Sequence, residues 1–185
     1  MKVSLPVKMT LEDLDRMPND GNRYELIDGD LFVTASPFAP HQRVVTRLLL
    51  KLGSFVEQKG AGEVFVAPFD VHLTIPRAEG ATCVEPDLLF ISKARQHIVH
   101  RHVHGAPDLV VEVVSESSAR ADYFDKRDAY RAAGVREYWI VDTFSRGITV
   151  HRFETSEPAR ELSENDTLTT PLLPGFELPV GQVFE

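Results

Sequence analysis

The sequence of 185 residues contains one cysteine, 11 glycines and 12 prolines, and it has no long apolar run. The lone Cys83 cannot form an internal disulfide, so we expect a reducing, cytosolic setting and a fold stabilised by packing. The spread of glycine and proline excludes a fibrous or disordered chain. No segment approaches about eighteen consecutive apolar residues, and the start turns acidic before a signal-peptide core develops. The sequence therefore predicts one globular domain over residues 1–185, cytoplasmic and with no membrane partner.

Basic residues are in the minority, because 20 Lys and Arg stand against 28 Asp and Glu, a formal net charge of −8. This balance argues against a protein that coats nucleic acid by charge alone. The acidity belongs to the two ends, since residues 1–35 and 154–185 carry −3 and −6, whereas residues 36–153 carry +1. A local basic groove in the middle of the chain is compatible with this distribution.

Apolar residues recur at helical spacing in three segments, which predicts helices at about residues 10–17, 41–59 and 119–133. The first begins with a capping-box pattern at Thr10 and Asp13, and Gly60 and Gly134 are suitable stops for the other two. Three serines before the last helix are typical of a strand-to-helix connection with an N-cap: Ser115, Ser117 and Ser118.

Strand patterns occupy most of the remaining chain. Asp28-Gly29-Asp30 between two short apolar runs predicts an N-terminal hairpin. Further strands are predicted at residues 63–67, 69–75, 84–91, 109–114, 137–142 and 148–153. The run LVVEVV at 109–114 is typical of a central strand covered on both faces. The order of elements predicts an α/β domain whose mixed β-sheet is flanked by helices, with an extended, proline-broken C-terminal tail.

Two carboxylates lie inside apolar runs, where an unpaired charge costs several kcal/mol or changes its protonation state. Glu112 has two valines on each side, and Asp87 follows Pro86 at the start of the run LLFI. If their strands are neighbours in the sheet, the two side chains lie within roughly 5 to 8 Å on one face and can share a divalent cation. Asp108 is a poorer partner for Glu112, because four strand residues separate their α-carbons by roughly 13 Å. The alternative is that both acids form ordinary ion pairs with arginines.

A pair of hard oxygen ligands suits Mg²⁺ or Mn²⁺, whose remaining ligands are water and substrate phosphate oxygens. Phosphodiester cleavage uses such a metal together with a lysine that orients water and offsets charge in the transition state. Lys126 is the best placed, because its predicted helix follows the strand that bears Glu112. Asp122 and Tyr130, four residues before and after Lys126, are expected on the same inward helix face.

Seven blocks spread over most of the chain are similar to those of one protein family. They are YELIDGDL (24–31), SPFAPHQRV (36–44), GEVFVAPFDVHL (62–73), EPDLLFIS (85–92), GAPDLVVEVVS (105–115), DKRDAYRAAGVREYWIVD (125–142) and LLPGFELPV (172–180). Together they resemble the Uma-type putative restriction endonucleases of the PD-(D/E)XK nuclease superfamily. The resemblance implies a restriction-endonuclease-like fold, with Asp87 as the Asp of the PD motif and Glu112 as the acid of (D/E)XK.

The chain departs from the superfamily signature at the lysine. The signature has lysine two residues after the acid, where this chain has Val114. The resemblance to Uma-type sequences implies that the lysine has moved to the following helix, at Lys126. It also assigns Val113 as a metal ligand beside Asp87 and Glu112, and Glu25 as a further catalytic acid. The alternative for Glu25 is a strand-end charge paired with Arg23.

Several other residues have competing interpretations. His41 and Gln42 open the long helix, where backbone donors favour a phosphate, but they equally suit capping and packing. Cys83 lacks the His or Asn motif that accompanies a nucleophile, and Trp139 is most simply a core aromatic. The segment 97–104 contains four histidines, His97, His100, His102 and His104. A closed zinc site needs ligand spacing and supporting partners that no cysteine or distant histidine supplies, so a partly protonated loop near a phosphate backbone explains them as well.

The leading functional hypothesis is a Mg²⁺- or Mn²⁺-dependent endonuclease with DNA as substrate. The alternative from a different class is a catalytically inactive module that binds nucleic acid or a protein partner on the same fold. A third reading, a metal hydrolase of small phosphorylated molecules, suits the acidic balance. A homodimer is expected by analogy, because cutting both strands brings two sites together and two-fold symmetry is the commonest assembly.

Overall fold

The computed structural model describes residues 2–3, 7–114 and 118–185. The α-helices are α1 (Leu11–Leu14), α2 (Ala39–Lys59), α3 (Arg127–Ala133) and α4 (Gly181–Phe184). The strands are β1 (Lys2–Val3), β2 (Arg23–Ile27), β3 (Asp30–Thr34), β4 (Gly62–Val66), β5 (Val71–His72), β6 (Cys83–Val84), β7 (Leu88–Ser92), β8 (Val103–His104), β9 (Leu109–Val114), β10 (Glu137–Asp142), β11 (Gly147–Arg152), β12 (Arg160–Leu162), β13 (Thr167–Thr169) and β14 (Glu177–Pro179). A 3₁₀ segment spans Lys93–Ile98, and a π-helical segment spans Ala121–Lys126.

The main sheet has the strand order β12-β11-β10-β9-β7-β4. It is mixed, because β9 and β10 run parallel while the other neighbours are antiparallel. The central position predicted for residues 109–114 is confirmed, since β9 lies between β10 and β7 and all six of its residues are buried. Leu109, Val111 and Val113 pack in the same cluster as the apolar face of α2, whereas Val110 and Val114 pack with Tyr130 of α3. Helices therefore cover both faces, as expected for the α/β class.

A second six-stranded sheet, ordered β1-β3-β2-β6-β5-β8, contains the predicted N-terminal hairpin. Asp28 and Gly29 form its two-residue turn with φ of 48° and 71°, which the mirror-image turns of hairpins require. The prediction of one strand over residues 84–91 is wrong. The chain leaves the second sheet after β6 and enters the main sheet at β7, because Pro86 has no N–H to continue a ladder. Asp87 lies at this crossing between the sheets.

The predicted strand over residues 69–75 is also too long. Only Val71 and His72 form β5, because each of the neighbouring strands β6 and β8 pairs with β5 through two residues only. The edge of the second sheet that β5, β6 and β8 form is therefore made of very short pairings.

The helices largely follow the sequence patterns. Thr10 and Asp13 form the expected capping box of α1, and Gly60, at φ 58°, caps α2 in the left-handed region. The third predicted helix differs at its start, because residues 121–126 form a π-helical turn, a feature frequent at functional sites. Ser115 and Ser117, predicted in the connection before it, lie outside the described residues, while the Ser118 carbonyl accepts the Asp122 N–H at 3.0 Å.

Within the described residues, no helix combines the length and hydropathy that crossing a membrane requires. Trp139 is a core aromatic as predicted, because it is fully buried in β10 and stacks on Phe176 at 6.2 Å.

The packing of α2 on the main sheet supports a matched pair of substitutions. Leu48→Ala removes a side chain that is 1% exposed, so we expect it to lower the free energy of unfolding by about 2 to 5 kcal/mol. Leu50→Ala, on the same helix at 63% exposure, should change it by less than about 0.5 kcal/mol. Urea denaturation of both variants measures the difference. Equal losses would contradict the described orientation of α2.

Candidate active site

Four buried carboxylates belong to one electrostatic cluster where the two sheets meet the π-helical turn: Glu25, Asp87, Glu112 and Asp122. Glu25 comes from β2 of the second sheet, and Glu112 from β9 of the main sheet. Asp87 immediately precedes β7, whose first residue Leu88 pairs with Val111, the neighbour of Glu112. The strands that carry Asp87 and Glu112 are therefore neighbours in the main sheet, as predicted.

The side chain of Lys126 joins three of these acids. Its Nζ lies 2.9 Å from Glu25 Oε1, 2.9 Å from Glu112 Oε1 and 3.7 Å from Asp122 Oδ1. Tyr130 donates its hydroxyl to Glu112 Oε1 at 2.8 Å. The prediction that Asp122 and Tyr130 share the inward face of Lys126 is thus confirmed. Glu112 is paired with a lysine and a tyrosine rather than with an arginine.

Asp87 is held by three donors from different parts of the chain. Its Oδ2 accepts the Val113 N–H at 2.8 Å and lies 3.1 Å from His41 Nε2, while Arg23 Nη1 donates to its Oδ1 at 3.3 Å. The Val113 side chain packs in the core and its N–H is committed to Asp87. The main-chain carbonyl oxygen is therefore the atom that Val113 has to offer a metal.

Arg23 and His41 belong to this cluster, where the sequence indicated Arg23 only as an ion-pair partner of Glu25 and His41 only as a phosphate, capping or packing residue. Arg23 also lies 3.9 Å from Glu25 Oε2, so it spans two acids, and His41 turns inward from the first turn of α2. Gln42, the other phosphate candidate, is exposed. The signal for Arg23 was its place at the start of the hairpin two residues before Glu25, which marked it only as an ion-pair partner.

Asp108 lies outside the cluster, as expected. Its carboxylate accepts the Ser92 N–H at 2.8 Å and pairs with Arg95 and Arg136 at 3.2 and 3.4 Å. It ties the start of β9 to the neighbouring segments.

The cluster carries more negative than positive charge. Four carboxylates face two permanent cations, Lys126 and Arg23, so full ionisation leaves two negative charges in a buried space. Burial and the neighbouring Asp122 carboxylate raise the pKa of Glu112 to about 8 against the opposing pull of Lys126. Burial likewise raises the pKa of Asp122 to about 6.

The other two acids are held in the charged form. Burial disfavours the charge on Glu25, but Lys126 and Arg23 outweigh it and lower the pKa of Glu25. For Asp87, burial is outweighed by the hydrogen bond with His41 and the charge of Arg23, which lower its pKa. In the absence of a metal, Glu112 and Asp122 are therefore the acids that take up protons and so reduce the surplus negative charge.

This donor set fits a divalent cation of the Mg²⁺ class. All four acids offer hard oxygen ligands, and the surplus of two negative charges equals the charge of one such ion. Asp122 Oδ1 is buried and accepts no hydrogen bond from the described residues, and its ion-pair contact with Lys126 is 3.7 Å long, so this oxygen can accept a ligand. A cavity of about 460 Å³ reaches the cluster, and its lining includes Glu25, Asp122, Lys126 and the two cations Lys2 and Arg120.

The raised pKa of Glu112 predicts how stability depends on pH. The pKa of Glu112 is 4.5 in the unfolded chain and about 8 in the folded protein, so folding takes up a proton at pH values between these two. This carboxyl therefore contributes stability at low pH that is lost as pH rises through about 8. In EDTA, the free energy of unfolding of Glu112→Gln relative to the unsubstituted protein should increase by more than about 1 kcal/mol between about pH 5 and pH 8. Urea denaturation across this range measures it. A difference that stays constant with pH would show that Glu112 does not take up the proton.

Comparison with known proteins agrees with this architecture. The fold resembles the crystal structure of a putative nuclease of the DUF820 family from Anabaena variabilis, with a TM-score of 0.77 over 95% of this chain and 97% of that chain. The two sequences are 16% identical, so this likeness concerns the fold. Among curated proteins, none matches the chain. The model of the Uma2 family, described as putative restriction endonucleases, matches residues 11–181, and the chain therefore belongs to that family.

Proposed function

We propose that this protein is a metal-dependent endonuclease that hydrolyses phosphodiester bonds in DNA. The observation that carries the proposal is the buried cluster in which acids from β2, β9 and the π-helical turn contact one lysine, with Asp87 beside them and a deficit of positive charge. Membership of a family of putative restriction endonucleases and the nuclease-like fold support the same class of reaction.

In this proposal Asp87, Glu112 and the carbonyl of Val113 would hold Mg²⁺ or Mn²⁺. When bound, the metal supplies a Lewis acid for the phosphate and lowers the pKa of water. Glu112 must lose its proton to become a ligand, because burial raises its pKa to about 8. The Val113 N–H and His41 both bind Asp87 Oδ2 and so fix the direction in which this carboxylate points.

Lys126 is the proposed group that orients the attacking water and stabilises charge on the phosphate. Three carboxylates raise the pKa of Lys126 even though burial alone would lower it, so it stays protonated and acts as a fixed positive charge. Glu25 serves this reaction by positioning Lys126, because its Oε1 binds the ammonium at 2.9 Å and also accepts the Glu85 N–H at 2.8 Å. Glu25 is thereby anchored to the strand crossing that carries Asp87.

DNA is the proposed substrate because the cavity beside the cluster has cations at its rim. Lys2 and Arg120 line it together with Lys126. Lys2 also pairs with Asp125, a further lining residue, at 3.2 Å, so Arg120 is the lining cation best suited to a backbone phosphate. A homodimer remains part of this proposal, since paired sites would serve cleavage of both strands. Sedimentation of the purified chain measures its assembly state.

One observation favours the inactive binding module as a second candidate. Each of the four acids already lies within 4 Å of a cationic or ionisable nitrogen of the protein, so each has a partner without a metal. In that case the carboxylates hold the two sheets together, and metal is not needed for function.

Cleavage of supercoiled plasmid and of single-stranded DNA with Mg²⁺, Mn²⁺ or EDTA tests the proposal. We expect metal-dependent cleavage that falls by at least about 100-fold in Asp87→Asn and in Glu112→Gln, because each removes a proposed ligand charge. Glu112→Gln is the gentler change, since it resembles the protonated carboxyl present below about pH 8. Asp128→Asn is the matched control, because this acid is exposed on α3 and should leave cleavage unchanged.

Thermal unfolding of each variant shows that loss of cleavage is not loss of fold. Full activity in Asp87→Asn would overturn the assignment of the site. DNA binding without cleavage, unaffected by EDTA, would establish the binding module instead. Inhibition by nucleotides but not by plasmid would point to small phosphorylated substrates.

A further inference from the structure

A second cluster of metal-binding side chains lies in the second sheet, where β5 and β6 pair. His72 of β5 is directly opposite Cys83 of β6, and Asp70 precedes β5 by one residue. One ligand atom from each of Asp70, His72 and Cys83 lies within 4.8 Å of the other two. None of these residues contacts the carboxylate cluster through an ion pair among those found in the described residues.

The chemistry of these three groups differs from that of the carboxylate cluster. An imidazole, a thiolate and a carboxylate are the ligand types of Zn²⁺, whereas Mg²⁺ takes oxygen ligands and does not favour sulfur. We propose that Asp70, His72 and Cys83 form a zinc site, separate from the active site, in which water completes a tetrahedral set.

Neighbouring histidines support the ligands of this site. His102 Nδ1 lies 3.2 Å from Asp70 Oδ2, and the His102 ring stacks on His72 at 4.9 Å between centroids. Ligating carboxylates and imidazoles in zinc sites are usually oriented by such outer contacts. Asp70 and His102 are 34% and 30% exposed, so zinc and its water have a path from solvent, while Cys83 closes the inner side.

The ligands come from segments that the sequence separates. Four histidines lie in residues 97–104, but no pattern in the sequence places Cys83 or a distant histidine beside them. Sheet pairing supplies both, because Cys83 and His72 become neighbours across β5 and β6 and β8 brings His102 and His104 alongside.

Such an ion would act as a structural cross-link. The strands β5, β6 and β8 have two residues each, so few backbone hydrogen bonds hold this edge of the sheet. Cys83 also pairs with Leu26 of β2, the residue after Glu25. Zinc at this place would therefore stiffen the strand that positions Glu25, without contributing to the reaction.

Titration of the metal-stripped full-length protein with Co²⁺ tests the site, because cobalt replaces zinc and reports its ligands by absorption. We expect one equivalent of Co²⁺ to give a thiolate-to-cobalt charge-transfer band and the visible bands of a tetrahedral site, both removed by Zn²⁺. The charge-transfer band should disappear in Cys83→Ser. His72→Ala should weaken Zn²⁺ binding by at least about tenfold, measured by competition with a chromophoric chelator.

Two controls separate this site from its surroundings. His100→Ala changes a histidine of the same stretch outside the ligand set, and Asp87→Asn changes the carboxylate cluster, so both should keep the cobalt spectrum. Because Cys83 is buried and its substitution can disturb folding, the half-exposed His72 provides an independent variant. No charge-transfer band in the unsubstituted protein, or tight Zn²⁺ binding that survives both Cys83→Ser and His72→Ala, would overturn the proposal.

Discussion

The ammonium group of Lys126 is the interaction on which the candidate site depends. It is fully buried, and removing a charge from water costs several kcal/mol unless partners replace the lost hydration. Those partners come from both sheets, because Glu25 belongs to β2 and Glu112 to β9, each 2.9 Å from the Nζ atom. The same contacts that solvate the lysine therefore fix the second sheet against the central strand. Folding and the arrangement of the site follow from one requirement, that this charge be neutralised locally.

The crossing of the chain between the two sheets places the remaining acid. Pro86 ends the pairing of β6, and Asp87 comes next, before β7 joins the main sheet. At that point its carboxylate contacts Arg23 from β2 and His41 from α2. The cluster is thus assembled from both sheets, the long helix and the π-helical turn, so a shift of any one element changes the balance of charge felt by Glu112.

The sequence predicted the acids of this site better than their partners. Glu112 and Asp87 stood out because a charge inside an apolar run needs a physical reason, and the helices, hairpin and central strand followed from periodicity and turn residues. Arg23 and His41 gave no such signal, since an arginine at a strand end or a histidine in the first turn of a helix is ordinary and only tertiary packing turns it inward. The break at residues 85–87 was missed because the apolar pattern continues across it, and the neighbouring His72 and Cys83 were missed because their proximity depends on strand pairing.

The departure at Val114 has a physical explanation in the same geometry. Val114 shares the face of β9 that carries Glu112 and packs in the cluster with Tyr130. A lysine there would add a charged side chain to an apolar layer that Val110, Tyr138 and Ile140 already fill. Lys126 instead enters from the helix above that face, and its ammonium still lies 2.9 Å from Glu112. Glu112 requires a positive charge at this place, and Lys126 supplies it from the helix, so that position 114 of the strand can stay apolar. With valine at position 114 and the lysine at position 126, β9 can pack on both of its faces, as a central strand between two helical layers must.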